Sequence, residues 1–300
     1  MTTIEKRVLG NTGLEVSVLG FGGAEIGFEG AERATVAALL NEALDAGLNV
    51  VDTAECYMNS EELIGEAVSH RRDDFLLFTK CGHEDGRGVW TRESLLASIG
   101  RSLRRLRTDH LDLIQLHSCG EDDLRRGEVI DALEEARRKG LARFIGYSGD
   151  GAAARFAIEC GRFDTLQTSL NVADQEALAT NLPLARERNM GVIIKRPIAN
   201  AAWRYGDREP EEKYHTEYWR RLRLLDYEFA RRPMPEAVAA ALRFTLGQPG
   251  VHVAIVGTTK PGRWAENARL LAGSPLDAAE EEAIRRRYAE VAAPDWAGQI

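Results

Sequence analysis

Four side chains in this 300-residue chain form a set able to move a proton at a carbonyl group: Asp52, Tyr57, Lys80 and His117, separated by 5, 23 and 37 positions. A phenol titrates at about 10 and releases its proton reluctantly at neutral pH. A neighbouring ammonium favours the phenolate and lowers that value, so Lys80 beside Tyr57 would make the better acid. Asp52 would hold Lys80 charged despite partial burial, and His117 would hydrogen-bond near the phenol and position a substrate oxygen. Such a set suits reversible proton transfer to a carbonyl oxygen while hydride arrives at its carbon. Each residue alone has a plainer reading. An aspartate at a strand end commonly caps a turn, and a lone histidine or lysine is often structural or solvated.

These spacings are those of successive βα units. Residues Lys6–Gly20 read as a short hairpin around Asn11-Thr12-Gly13. Apolar runs beginning at 18, 48, 75, 111, 144, 165, 192 and 251 read as eight strands, with amphipathic segments between them. Ser60 is the expected cap of a helix whose face carries Leu63, Ile64, Ala67 and Val68, and Thr91 the cap of Arg92–Leu106. Residues 201–232 form a polar, aromatic-containing excursion with one helix expected over Glu217–Phe229, and two further helices close the chain. Eight regular units predict a parallel sheet closed into a (β/α)8 TIM barrel, with an N-terminal β-hairpin and an additional C-terminal helix. An open doubly wound sheet is the competitor, but Gly20-Phe21-Gly22-Gly23 lacks the spacing of a dinucleotide fingerprint. In a barrel, all four reactive residues arrive at the carboxyl ends of strands, where chemistry is found. Residues 1–300 are thus expected to form a single domain, with 201–232 a top-face insertion and 294–300 a tail folding near the mouth.

Composition narrows the class. Lys and Arg number 39 against 47 Asp and Glu, a net charge of −8, which argues against a dedicated nucleic-acid binder. Cys56, Cys81, Cys119 and Cys160 are too few for a disulfide scaffold and fit a reducing compartment. No apolar stretch approaches ~18 residues, and the first residues lack a signal-peptide pattern. The expectation is a cytoplasmic protein acting on a small molecule, without nucleic-acid or membrane partners. The choice between monomer and homo-oligomer stays open.

Several motifs in order resemble the aldo-keto reductases: KRVLGNTGLEVSVLGFGG at the N-terminus, DTAECY at Asp52–Tyr57, NSEELIG from Asn59, FTK at Phe78–Lys80 and DHLDLIQLH at Asp109–His117. The resemblance runs from about Arg7 to Leu276. It implies a (β/α)8 barrel reducing aldehydes or ketones with a nicotinamide cofactor. Tyr57 would be the general acid, tuned by Lys80 and Asp52, with His117 orienting the carbonyl. No metal and no covalent enzyme intermediate are implied.

Near the eighth strand, Gly257, Thr258, Lys260 and Arg263 precede a helix, and amide groups with two cations there suit a phosphate. A turn with solvated charges is the alternative. The resemblance implies that Thr258, Lys260 and Arg263 surround a 2′-phosphate and that Glu266 and Asn267 meet adenine, which favours NADP(H) over NAD(H). It also implies that Ser148 and Gln167 hold the nicotinamide carboxamide; strand-end capping is the plain account of Ser148. Where the family usually has Asn beside that serine, Gly149 stands here, so one hydrogen bond is missing or comes from Asn171. Lys195-Arg196 occupies the position of a stacking aromatic, and the pair would contact cofactor pyrophosphate or an anionic substrate. Met58 replaces a frequent glycine and would either narrow the mouth or pack beneath its loop. Trp90 and Trp203 are candidate substrate walls.

Other classes compete. Cys56, Cys81, His83, His117 and Cys119 could converge as a zinc site, though not at the spacing of a compact zinc motif. A cofactor-binding redox sensor with little turnover, and a sugar-phosphate isomerase on the same barrel, are the remaining alternatives.

Overall fold

The computed structural model describes residues 4–84 and 87–299. Strands β1 (Lys6–Val8) and β2 (Glu15–Ser17) pair antiparallel as the N-terminal hairpin. Eight parallel strands follow: β3 (Leu19–Gly22), β4 (Val50–Asp52), β5 (Leu76–Cys81), β8 (Leu111–His117), β9 (Ala142–Ser148), β10 (Thr165–Ser169), β11 (Gly191–Lys195) and β12 (Val253–Gly257). They pair in that order, and β12 returns to β3 through Ala254↔Leu19 and Gly257↔Gly22, so the barrel is closed. Between β5 and β8 lies a second small hairpin, β6 (His83–Glu84) and β7 (Arg87–Gly88), which the sequence pattern did not reveal.

Side chains alternate across each strand, and that alternation points the reactive residues inward. Val50, Phe78, Leu113, Ile193 and Val253 form the inner cluster, against which Leu9, Leu14 and Val16 of the hairpin pack as a floor. Their neighbours Val51, Leu77, Ile114 and Ile194 face the surrounding helices instead. Two residues beyond the inner set, the same phase carries Asp52, Lys80, Gln115 and Lys195 toward the barrel axis, with His117 one step higher. Each large apolar side chain fully buried in these layers stabilises the fold by roughly 1.5–3 kcal/mol.

The helix Arg92–Leu106 shows how an outer element forms. Thr91 accepts a hydrogen bond from the Ser94 amide, Leu95, Ile99 and Leu106 fall on the buried side, and Arg104 and Arg105 occupy the last turn. Ser60, by contrast, is not a cap: it is the first residue of the helix Ser60–Val68, and its Oγ donates to the Gly23 carbonyl at 2.7 Å. The excursion carries the helix Lys213–Leu225, which starts four residues earlier than its sequence suggests. Asp226 takes a left-handed conformation and ends it, and Glu228–Arg231 forms a separate short turn. Tyr218, Leu222, Leu225 and Phe229 make an apolar cluster with Ile284 of the C-terminal helix Ala278–Val291. The final residues lie over the barrel end: Arg221 donates to the Ala297 carbonyl at 3.1 Å and Lys195 to that of Gln299 at 3.0 Å. Among the described residues, no helix is long and apolar enough to cross a membrane.

Candidate active site

Asp52 ends β4 and Lys80 lies near the end of β5. Both are 1% exposed, and the Lys80 ammonium donates to Asp52 Oδ1 at 2.5 Å and to the Thr53 carbonyl at 2.9 Å. Asp52 Oδ2 accepts from Gln167 at 2.9 Å and from Gln115 at 3.4 Å. Burial pushes this carboxyl upward and Lys80 opposes it. Among the described residues the side-chain hydrogen bonds at the Asp52 carboxyl are all ones it accepts, which suits the ionised form.

Tyr57 sits in the loop behind β4. That loop is pinned from two sides. Glu55 accepts from Ser98 Oγ at 2.5 Å and from Arg101 at 2.7 Å, both on the Arg92–Leu106 helix. Below it, Ser60 bridges Gly23 and Thr53, and the Tyr57 carbonyl lies so close to Gly27 that a Cβ there would overlap it. The Lys80 ammonium lies 5.2 Å from the centre of the Tyr57 ring, and the His117 ring meets that ring edge-on at 5.7 Å. The four residues converge, but the direction of the phenol shift differs from the sequence expectation. Burial, followed by the charge of Asp52, drives Tyr57 well above the usual tyrosine value, while the Lys80 ammonium donates to Asp52 and Thr53. His117 moves the other way: burial, then Lys80 and His83, hold it well below the usual histidine value, so its imidazole is neutral at pH 7. Its Nδ1 lies 3.4 Å from Cys56 Sγ, and burial keeps Cys56 as a thiol, pushed up to about 11.

An aromatic wall extends from this centre. Phe28, 61% exposed, lies 5.6 Å from Tyr57; His83 stands edge-on to His117 at 5.3 Å and Trp90 edge-on to His83 at 5.3 Å. Met58 is 68% exposed with φ of +51°, the region that favours glycine, and its side chain does not pack beneath the loop. Trp203 is held edge-to-face against Phe229 at 6.1 Å, within the cluster that supports the excursion.

Ser148 Oγ donates to Gln167 Oε1 at 2.9 Å, joining β9 and β10 to Asp52 through the Gln167 amide. Gly149 follows from packing, since a Cβ there would lie 2.5 Å from Tyr147 Oη, which donates to the Cys119 carbonyl. The Asn171 side-chain amide donates to the Arg196 carbonyl at 3.0 Å, and its Oδ1 accepts from the Ala173 amide at 2.8 Å. Lys195 pairs with Asp150 at 2.7 Å, and Asp150 is held in turn by Thr168 Oγ1 and the Ser169 amide, both at 2.7 Å. Among the described residues no three His, Cys, Asp or Glu side chains converge as a metal site.

The loop expected to meet a phosphate follows β12. Thr258 Oγ1 accepts from the Lys260 amide at 3.1 Å, Arg263 pairs with Glu266 at 3.1 Å, and Asn267 is buried. The helix Arg263–Leu271 starts after Gly262 with no side-chain cap and with Glu266 in its first turn, so amide N–H groups at its amino end lie beside the two cations. These groups fit an anionic phosphate.

The sequence matches the profile of the Aldo/keto reductase family over residues 18–288. The chain belongs to that family. It is 28% identical over 303 aligned positions to the uncharacterized oxidoreductase YqkF of Bacillus subtilis, covering 94% of this chain and 96% of that one. It is 32% identical to L-galactose dehydrogenase of Arabidopsis thaliana, over 66% of this chain and 67% of that one. The solved aldo-keto reductase AKR11C1 from Bacillus halodurans, in its holo form, superposes with a TM-score of 0.81 at 27% identity, covering 95% and 96% of the two chains. This aldo/keto reductase is therefore an NAD(P)H-dependent oxidoreductase on a (β/α)8 barrel, and carbonyl reduction is its general chemistry.

Sequence reasoning missed two residues here. Gln115 shares the inward phase of His117, which was readable from the strand alternation. Glu25 is the one acid in the otherwise small and apolar run GFGGAEIG. Its carboxylate lies against Gly257 so closely that a Cβ there would overlap Oε2. Tyr214 of the excursion lies against Arg196, whose guanidinium is 5.0 Å from its ring centre.

Proposed function

We propose that Tyr57 is the proton donor in the reduction of an aldehyde or ketone to an alcohol, with NADP(H) preferred over NAD(H). The observation that carries this reading is the buried Lys80–Asp52 pair beneath the Tyr57 ring, with the neutral His117 at the ring's edge. The nicotinamide, when bound, supplies the hydride to the carbonyl carbon.

The chain's own groups manage the oxygen. His117, neutral, donates a hydrogen bond to the carbonyl oxygen and orients it. Tyr57 gives its proton to that oxygen as negative charge develops there. A resting phenol held above the usual value is fully protonated at neutral pH and so is loaded for donation. As the proton leaves, the Lys80 ammonium stabilises the phenolate, and Asp52 keeps Lys80 oriented and charged. Tyr57 is then reprotonated from solvent, and in the reverse direction its phenolate takes the alcohol proton. Ser148 and Gln167 would hold the nicotinamide carboxamide, and Gly257, Thr258, Lys260 and Arg263 would hold the phosphates, with Glu266 and Asn267 toward adenine. Lys260 supports the NADP(H) preference, being exposed and without an ion pair among the described residues.

Tyr57→Phe tests the assignment. Loss of a positioned general acid lowers kcat roughly 10²–10⁴-fold, while fluorescence titration should show cofactor binding retained. Undiminished turnover against aldehydes would remove Tyr57 from this role.

A further inference from the structure

Two adjacent cations close β11, and only one of them is neutralised. Lys195 is paired with Asp150. Arg196 forms no ion pair among the described residues, although it is only partly exposed; its hydrogen-bonding neighbours are the phenols of Tyr214 and Tyr218, and its guanidinium lies 5.0 Å from the Tyr214 ring centre. A guanidinium withdrawn from water without an anion is costly, and one so held is ready to receive an oxyanion.

Its direction is imposed by the backbone. Arg196 has φ of +56°, a left-handed conformation rare for a side chain of this size. The turn is held by hydrogen bonds to the Arg196 carbonyl from Asn171 and from the Ala199 amide, both at 3.0 Å. Strain of this kind persists where surrounding structure enforces it, and it gathers at ligand sites. The strained turn places Arg196 just past the carboxyl end of β11, the barrel end that also carries Asp52, Lys80 and His117, with its guanidinium over the Tyr214 ring; its charge is felt at His117. The acids near it make poor counter-ions. Asp150 is committed to Lys195, and Glu25 lies against Gly257.

We infer that Arg196 receives a carboxylate of the substrate, so that the natural substrates are carbonyl compounds carrying an acid group at the end remote from the reacting carbonyl. This rests on the reductase reading above and adds the substrate class to it. An oxyanion could also come from the cofactor pyrophosphate, and the test separates the two sources. The probes are 4-carboxybenzaldehyde and its methyl ester, two aldehydes alike in ring and reacting group but differing in charge.

Wild-type protein should show a higher kcat/KM for the acid than for the ester. In Arg196→Met the acid-to-ester ratio should fall about a hundredfold, chiefly through KM. Arg196→Lys should fall between, because it keeps the charge and loses the bidentate fork. An unchanged ratio overturns the inference. So does an equal loss for both aldehydes accompanied by weaker NADPH binding, which would assign Arg196 to the cofactor phosphates. Should wild type reduce neither aldehyde, the reductase reading fails, and calorimetric titration with benzoate still decides Arg196: binding abolished in Arg196→Met supports it, and equal binding or none in wild type refutes it.

Discussion

Glu25 offers a prediction whose size follows from its surroundings. Its carboxyl is raised from 4.5 to about 7 by burial and by Glu29, against the attraction of Arg196 and Arg204. Tyr57 and Tyr214 also face it. Below pH 4.5 the folded and unfolded chains both hold the proton. Between 4.5 and 7 the folded chain keeps a proton that the unfolded chain has released, so stability falls as pH rises, and above 7 the loss is complete. A difference of 2.5 pH units corresponds to about 3 kcal/mol. For a chain of this length that is a Tm change of roughly 5 °C. Glu25→Gln keeps the shape against Gly257 and removes the titration. Thermal unfolding of the cofactor-free protein should therefore give nearly equal Tm values for variant and wild type at pH 5. At pH 8 the variant should melt about 5 °C higher. Groups common to both proteins cancel in this comparison. A Tm difference that is the same at both pH values would refute the burial argument.

Two further perturbations separate packing from binding. Gly149→Ala drives a Cβ to within 2.5 Å of Tyr147 Oη and strains its hydrogen bond to Cys119; a destabilisation of about 1–3 kcal/mol is expected by urea unfolding, and wild-type stability would contradict the close approach. Lys260→Met should weaken NADPH binding about tenfold in fluorescence titration while leaving NADH less affected; equal weakening of both would argue against a 2′-phosphate contact.

Much of the barrel was legible because its signals are local. Apolar runs separated by amphipathic segments required eight parallel strands, and Thr91 announced its helix through its own hydroxyl. Where the sequence misled, a distant partner had intervened. Ser60 has the residue type of a cap, but Gly23 and Thr53, brought beside it by β3 and β4, take its hydroxyl instead. The excursion helix ends at Leu225 because Asp226 turns left-handed there, a conformation that the apolar pattern does not encode. The β6–β7 hairpin escaped notice because two-residue strands show no alternation.

The identities and order of Asp52, Tyr57, Lys80 and His117 were determined by sequence alone, as was their arrival at strand ends, since side-chain alternation within a strand is a property of the chain itself. Charge states and pairings were decided only in three dimensions. Lys80 was expected to lower the phenol of Tyr57; closing the barrel turned that ammonium to Asp52 and Thr53, and burial with the charge of Asp52 raised the phenol instead. Lys195 and Arg196 are neighbours of like charge in sequence, yet Asp150 neutralises one and a left-handed turn isolates the other. The physical reason is the range of the forces involved. Alternation and capping act over a few residues, whereas desolvation and ion pairing depend on which strands the closed barrel sets side by side.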